Sequence, residues 1–232
     1  MALAEDVGAG DITSNATIPA DAMAEAVMAF RAEGVVCGLP VAAHVFKGLQ
    51  IEMLAQDGDR VKAGQAVMRI KGNARALLAA ERVALNFVQR LSGVASETRK
   101  LVDLITGTGA QLTDTRKTTP AYRALEKYAV RCGGGVNHRM GLYDAVLIKD
   151  NHIAVAGGVV PALAATKGLA EKVEIEVDTL EQLSEALGAG AKYVLLDNMP
   201  PAVMREAVAI TAKRAVLEAS GGISPTTIRA VA

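Results

Sequence analysis

From Gln111 onward, short β-branched runs alternate with segments whose apolar residues recur at helical spacing. QLTDT, DAVLIK, VEIEVD, YVLLDN and AVLEAS read as strands, while PALAATKGLA, LEQLSEALGAG and PPAVMREAVAITAKR read as amphipathic helices, with Gly or Pro at the joints. That order predicts parallel βα units, closed as a β/α barrel or left as an open α/β sheet. Each predicted strand ends on polar residues: Asp114 with Arg116 and Lys117, Lys149 with Asp150, Glu176 with Asp178, Asp197 with Asn198, and Ser220. Polar groups at every carboxyl end point to one shared rim, where such sheets carry their chemistry.

The first ninety residues follow a different pattern. AEAVMAFRAEGVVCG and IEMLAQDGDRVKAGQAVMRIKG read as strands joined by Gly and Asp turns around a helix in PVAAHVFKGL, which predicts a small α+β unit. NARALLAAERVALNFVQRL is helical and SGVASETRKLVDLITG continues it after a break at Ser92-Gly93, so the expected division is an N-terminal α+β domain with its linking helix over 1–91 and a β/α barrel domain over 92–232. With 51% apolar residues the chain can build a real core. It has no apolar run near the roughly 20 residues of a membrane span, and MALAEDVGAGDITS lacks the features of a signal peptide, so a cytoplasmic protein without a membrane partner is expected. Cys37 and Cys132 sit in separate segments without a CxxC spacing and read as free thiols. His44, His138 and His152 are too scattered to suggest a transition-metal site.

Charge changes the picture locally. The chain has 25 basic and 25 acidic residues, which argues against nucleic acid as a partner. Yet Thr115–Ile153 gathers Arg116, Lys117, Arg131, His138, Arg139, Lys149 and His152 around Gly133–Gly135. Arg grips carboxylate or phosphate with a planar fork and Lys adds a compact charge, so this segment reads as a site for small, multiply anionic ligands. Arg123 and Lys127, four apart in PAYRALEKYA, read instead as a solvated helix face. Ser220, Gly221 and Gly222, just before a helix expected to start at Ser224-Pro225, can let a phosphate approach the backbone closely.

EDVGAGDITS, ERVALNFVQRLSG, TRKTTP, EKYAVRCGGGVNHRMGLYDAVLIKDNHI, IEVD, LLDN and EASGGI occur in that order, and over essentially its whole length the chain resembles the quinolinate phosphoribosyltransferase family. TRKTTP and KDNH are its specific motifs. The resemblance implies a decarboxylating transfer between quinolinate and phosphoribosyl pyrophosphate in NAD biosynthesis, giving nicotinate mononucleotide, pyrophosphate and carbon dioxide, with Mg2+ as cofactor. By motif position, Arg82, Arg116, His138, Arg139 and Lys149 are expected around the two quinolinate carboxylates, with Thr115 beside them and Lys117 serving both substrates. Glu176 and Asp197 are expected to face the ribose hydroxyls and magnesium, directly or through water, and Ser220, Gly221 and Gly222 to hold the 5′-phosphate. Lys117, Lys149, Glu176 and Asp197 form the expected catalytic set. The resemblance further implies a homodimer, or a higher oligomer built from it, in which Arg82 and Arg116 reach the neighbour's site.

Three departures stand out. Family members normally continue with a further strand and phosphate loop after the SGG helix and carry a helical lead before EDVGAGD, so the barrel is expected to be incomplete, apparently truncated at its C-terminus. Ala121 stands where many members have glycine and is expected to be a mild change. Two other function classes compete. A class I aldolase would use Lys149 at a strand end for a Schiff base, but needs fewer cations nearby. A small-anion sensor would keep the arginines but has no use for Glu176 and Asp197.

Overall fold

In the computed structural model, which describes residues 1–232, the early strand-like runs pair antiparallel. β1 (Met23–Ala29) pairs with β5 (Ala66–Asn73), and β5 with β3 (Gln50–Met53), while β2 (Gly34–Val35) and β4 (Arg60–Val61) form a separate two-stranded ladder. Two short helices, α1 (Ala2–Val7) and α2 (Ile12–Thr17), precede them; the second is capped by Asp11, whose carboxylate accepts from the Ser14 amide at 3.0 Å. Val67, Met68 and Ile70 of β5 pack with Leu39 and Ala42 of α3 (Leu39–Val45) and with Leu77, Ala80, Ala84 and Val88 of α4 (Ala74–Leu104).

The 31 residues of α4 run unbroken through Ser92 and Gly93, where a break was expected. Ser92 is useful in the helix because its hydroxyl, with that of Ser96 one turn later, makes tertiary bonds. Ser92 Oγ accepts from the Cys37 amide at 2.9 Å, and Ser96 Oγ accepts from the Val35 amide at 2.8 Å. The hydroxyls that weaken an isolated helix here satisfy the β2–α3 backbone. The structure forms two compact units, one of Met1–Asp103 with Gln111–Asn137, the other of Leu104–Ala110 with His138–Ala232.

Within the first unit the expected strand QLTDT is reduced to one parallel bridge between Thr113 and Val136, fixed by Asp114 N–H to the Val136 carbonyl at 3.1 Å and Val136 N–H to the Leu112 carbonyl at 2.8 Å. The helix α5 (Arg123–Cys132) then corrects a second expectation. Lys127 is not on a solvated face: its side chain is 1% exposed and ion-paired with Asp114, itself buried. The other Asp114 oxygen accepts from Asn137 Nδ2 at 2.6 Å, and the same amide donates to the Lys127 carbonyl at 2.8 Å. Arg123 is also engaged, its Nε donating to Thr118 Oγ1 at 3.0 Å. Nor is Ala121 mild. Its φ of 61° lies in the left-handed region, where a Cβ costs on the order of 1–2 kcal/mol.

The second unit holds four of the predicted strands, β6 (Val146–Ile148), β7 (Val173–Val177), β8 (Tyr193–Asp197) and β9 (Val216–Ser220), in one parallel sheet of that order. The helices α6 (Asp150–Ala156), α7 (Val159–Ala165), α8 (Leu180–Gly188) and α9 (Pro201–Thr211) connect them; α6, not foreseen from the pattern, begins directly after Lys149. Ile148, Ile175, Val177, Val194, Leu196, Leu217 and Ala219 join Leu183, Ala186, Met204 and Ala207 in one apolar core. By the two-residue period of a strand, Leu147, Glu174, Glu176, Tyr193, Leu195, Asp197, Glu218 and Ser220 take the opposite face. The helix expected at Ser224-Pro225 is a turn instead, held by Ser224 N–H to Thr227 Oγ1 at 2.9 Å, and α10 (Ile228–Val231) is a single turn after it. The architecture is mixed α/β, a small antiparallel-sheet region followed by a four-stranded parallel sheet.

The buried Lys127–Asp114 pair generates a stability prediction. Lys127→Met leaves Asp114 buried without its counter-charge and should cost about 3–5 kcal/mol. Adding Asp114→Asn to Lys127→Met should recover most of that loss, because no uncompensated charge remains. Urea unfolding of the wild type and both variants at pH 7 measures it.

Candidate active site

On the polar face of the parallel sheet, several expected residues meet at the carboxyl ends of the strands. Lys149 follows β6 and caps α6: its N–H donates to His152 Nδ1 at 2.9 Å, so the histidine of the KDNH motif fixes the lysine's backbone. The Lys149 ammonium reaches across to Glu176 Oε2 on β7 at 2.6 Å. Asp197 ends β8 opposite Ser220 on β9 and accepts from Asn198 Nδ2 at 2.7 Å. Asn198 in turn donates its amide to the Ser220 carbonyl at 2.9 Å. Gly221, at φ 88°, could carry no side chain, since a Cβ there would strike the Asn198 amide. The glycine lets the Ser220–Gly222 turn lie against the end of β8.

Glu176 and Asp197 each keep one carboxylate oxygen without a hydrogen bond inside the chain. Hard, partly desolvated oxygen donors of this kind suit Mg2+, which binds through one or two carboxylates together with substrate phosphates.

The polar face of the same sheet holds a second cluster. His138 Nδ1 accepts from the Arg139 amide at 2.8 Å, which leaves the ring proton on Nε2, 2.7 Å from Glu174 Oε2 and 3.7 Å from Glu218 Oε2. The imidazole of His138 is therefore bonded to a buried carboxylate. Lys172 lies 3.1 Å from Glu174 and its ammonium sits 5.1 Å from the centre of the Tyr193 ring. Burial acts to raise the Glu174 carboxyl, but the bonds from His138 and Lys172 prevail and hold it below its ordinary value. Burial foremost, and then the neighbouring Glu174, push Glu218 upward. The ligand atoms of His138, Glu174 and Glu218 lie within 4.8 Å of one another, yet Lys172 already supplies a cation to the cluster. Arg139 Nη1 donates to the Ala145 carbonyl at 3.2 Å.

The remaining expected residues, Arg82, Thr115, Arg116 and Lys117, belong to the first unit. Arg82 is exposed on α4. In the TRK segment Thr115 Oγ1 accepts from the Lys117 amide at 3.0 Å, and Arg116 retains a buried Nε with no hydrogen-bond partner. The segment is anchored from below by Glu126. This buried carboxylate accepts from the Thr119 amide at 3.0 Å, from Thr119 Oγ1 at 2.8 Å and from Arg90 at 2.6 Å. A Cβ on Gly133 would come within 2.5 Å of Thr98 Cβ on α4, so the glycine run allows close packing against that helix.

Sequence reasoning missed Glu126, Asp114 as a buried partner, Asn137, Glu174 and Glu218. Two of these carried a readable signal. Glu174 and Glu176 are two apart in VEIEVD, as are Glu218 and Ser220 in LEAS, so alternation alone places each pair on one face.

Glu126 gives a pH prediction. Burial acts to raise its carboxyl, but the bonds from Arg90 and Thr119 hold it below 4.5. A depressed folded value means that its contribution is fully present above the unfolded value and is lost as pH falls through the folded one. Glu126→Gln should cost about 1–3 kcal/mol near pH 7, and the gap to wild type should close as acidification carries the pH below the ordinary glutamate range. Urea unfolding of both proteins at descending pH checks it, and a gap independent of pH would remove the charge from the explanation.

Comparison with known proteins agrees with this architecture. The model of the N-terminal domain of quinolinate phosphoribosyl transferase matches residues 11–92 and that of the C-terminal domain matches residues 94–232. The nicotinate-nucleotide pyrophosphorylase [carboxylating] of Mycobacterium leprae is 46% identical, over 96% of this chain and 83% of its own. The chloroplastic enzyme of the same name from Arabidopsis thaliana is 39% identical, over 100% of this chain and 73% of its own. The solved nicotinate-nucleotide pyrophosphorylase of Francisella tularensis superposes with a TM-score of 0.95 at 45% identity, covering 99% of this chain and 83% of that one. With both domain models matched in sequence order and the fold reproduced at that level, the chain belongs to the quinolinate phosphoribosyl transferase family.

Proposed function

We propose that this protein transfers the phosphoribosyl group of phosphoribosyl pyrophosphate to the ring nitrogen of quinolinate, releasing pyrophosphate and carbon dioxide and leaving nicotinate mononucleotide. The observation that carries this reading is the meeting of Lys149, Glu176, Asp197 and Ser220 at one end of the parallel sheet, in a chain of this family. A cation beside two carboxylates and a glycine turn suits a substrate with anionic groups, ribose hydroxyls and a phosphate.

Bond breaking at the ribose builds positive charge as pyrophosphate departs, and carboxylates placed beforehand stabilise it without reorganising. Glu176 and Asp197 take that role in the proposal. They are also the residues that would hold Mg2+, which when bound neutralises charge on the departing pyrophosphate. Arg116, Arg139, Lys149 and Lys117 grip the quinolinate carboxylates, with Arg82 and Thr115 assisting. The unbonded Nε of Arg116 supports an anion partner there. The ring of His138 is bonded to Glu174, so its part is to fix the Arg139 backbone rather than to reach the substrate itself. Gly221 and Gly222 present backbone N–H groups to the 5′-phosphate. After ring alkylation the cationic pyridine holds the electrons left by carbon dioxide, and the protein's work is orientation and exclusion of water.

The protein is proposed to act in the cytoplasm; no helix is long and apolar enough to cross a membrane. A homodimer with Arg82 and Arg116 serving the neighbouring site completes the proposal, and native mass spectrometry checks the dimer.

Incubation with quinolinate, phosphoribosyl pyrophosphate and Mg2+ should yield nicotinate mononucleotide, read by mass. Nicotinate should be a poor substitute, because the missing carboxylate removes charge-assisted hydrogen bonds to these cations, each worth about 1.5–3 kcal/mol. Equal turnover of the two acids would sink the assignment.

Glu176→Ala and Arg139→Ala should separate two roles. The first should lower kcat by a larger factor than it changes quinolinate affinity, the latter shifting only through release of the Lys149 ammonium, while the second should weaken quinolinate by roughly tenfold or more. Titration calorimetry with quinolinate, paired with turnover, reads both, and the reverse pattern would overturn the roles.

A further inference from the structure

Cys37 and Cys132 have no part in the proposed reaction, yet the fold brings them together from 95 residues apart in sequence. Cys37 lies between β2 and α3 and is fully buried; Cys132 is the last residue of α5 and partly exposed. Their sulfurs and a carboxylate oxygen of Asp57 all lie within 4.8 Å of one another.

Asp57 is what holds the two elements in this relation. Its carboxylate accepts from the amides of Gly38 and Leu39 at 2.9 and 3.0 Å, immediately after Cys37, and from the Tyr128 hydroxyl at 2.9 Å, one helical turn before Cys132. Ser92 adds a second hold on Cys37, its Oγ accepting from the Cys37 N–H at 2.9 Å and donating to the Cys37 carbonyl at 3.1 Å. Four hydrogen bonds through two side chains thus fix the backbone around Cys37, and one of those side chains also fixes α5. A disulfide forms readily only where the fold has already placed the two residues near bonding geometry.

We propose that Cys37 and Cys132 are a dithiol modification site, closed to an intramolecular disulfide by a low-molecular-weight disulfide of the glutathione class. Cys132, the less buried residue of the pair, loses its proton and attacks one sulfur of the small disulfide, expelling one small thiolate. Cys37 then attacks the Cys132 sulfur of the mixed disulfide and expels the second small thiol, which takes the Cys37 proton. The protein loses two electrons and two protons, and one small disulfide becomes two small thiols. Burial first, and then the proximity of Cys132, keep the Cys37 thiol protonated in the reduced state, consistent with Cys132 meeting the oxidant. The closed bond ties the β2–α3 junction to the end of α5, directly before Gly133–Gly135.

The test equilibrates the whole chain with mixtures of reduced and oxidised glutathione, traps free thiols by alkylation and maps the peptides. The expected result is a Cys37–Cys132 cross-linked peptide in monomeric protein, lighter by about 2 Da and restored by dithiothreitol, with an equilibrium constant at least about tenfold larger in native buffer than in denaturing urea. Asp57→Asn, which weakens the hold on both elements, should move the native constant toward the urea value. A halt at the glutathione adduct of Cys132 with Cys37 still alkylatable would overturn the proposal, as would equal constants in the two solvents. Retention of added zinc with both thiols masked would assign the pair to a metal instead, and equally overturn it.

Discussion

The parallel sheet depends on the two-residue period of an extended chain. Because successive side chains leave a strand on opposite faces, the apolar residues that fasten β7, β8 and β9 to their helices force their neighbours onto the other side. Those neighbours are Glu174, Glu176, Asp197, Glu218 and Ser220. A slip of one residue in any strand would bury a carboxylate among Leu183, Ala186 and Met204 and expose the matching apolar group, so the core that stabilises the sheet also specifies its polar face. The carboxylates could not be carried alone. Lys149 stands against Glu176, and His138 with Lys172 against Glu174, so each of these two has its cation on the same face.

The sequence revealed the parts of this arrangement governed by local periodicity. Four strands and three of the helices between them are visible because burial of one face imposes a repeat, and the rim residues are visible because they follow those strands. Elements stabilised by distant partners were less readable. QLTDT has the composition of a strand but finds only Val136 to pair with, and the Ser92-Gly93 step looks like a break until the Cys37 and Val35 amides supply partners for Ser92 and Ser96. Lys127 shows the same limit at one residue. Helical spacing from Arg123 is what a solvated face would have, and only Asp114, thirteen residues earlier, turns that lysine inward.

The candidate site was legible in its charged residues and illegible in what supports them. Arg116 and Lys117 stand out as basic residues in a neutral chain, but nothing near Glu126 in the sequence announces that it receives two bonds from Thr119 and one from Arg90. The same holds for His138. Its motif suggests a ligand, whereas both ring nitrogens are occupied, one by the neighbouring amide and the other by Glu174. Motif positions identify residues by their chemistry and do not show the bonds each side chain makes inside the fold.

The Lys127, Asp114 and Asn137 connections also bear on the order in which the chain assembles. They span only 13, 23 and 10 residues, whereas the β1–β5 ladder must bring Met23 to Asn73 before its outer pair forms. Closure entropy rises with the logarithm of loop length, and contacts close in sequence form fastest. The segment from Asp114 to Asn137, with Arg116 and Lys117 inside it and His138 directly after it, therefore closes through near neighbours. None of these three bonds draws on the parallel sheet, whose strands β6 to β9 all lie later in the chain.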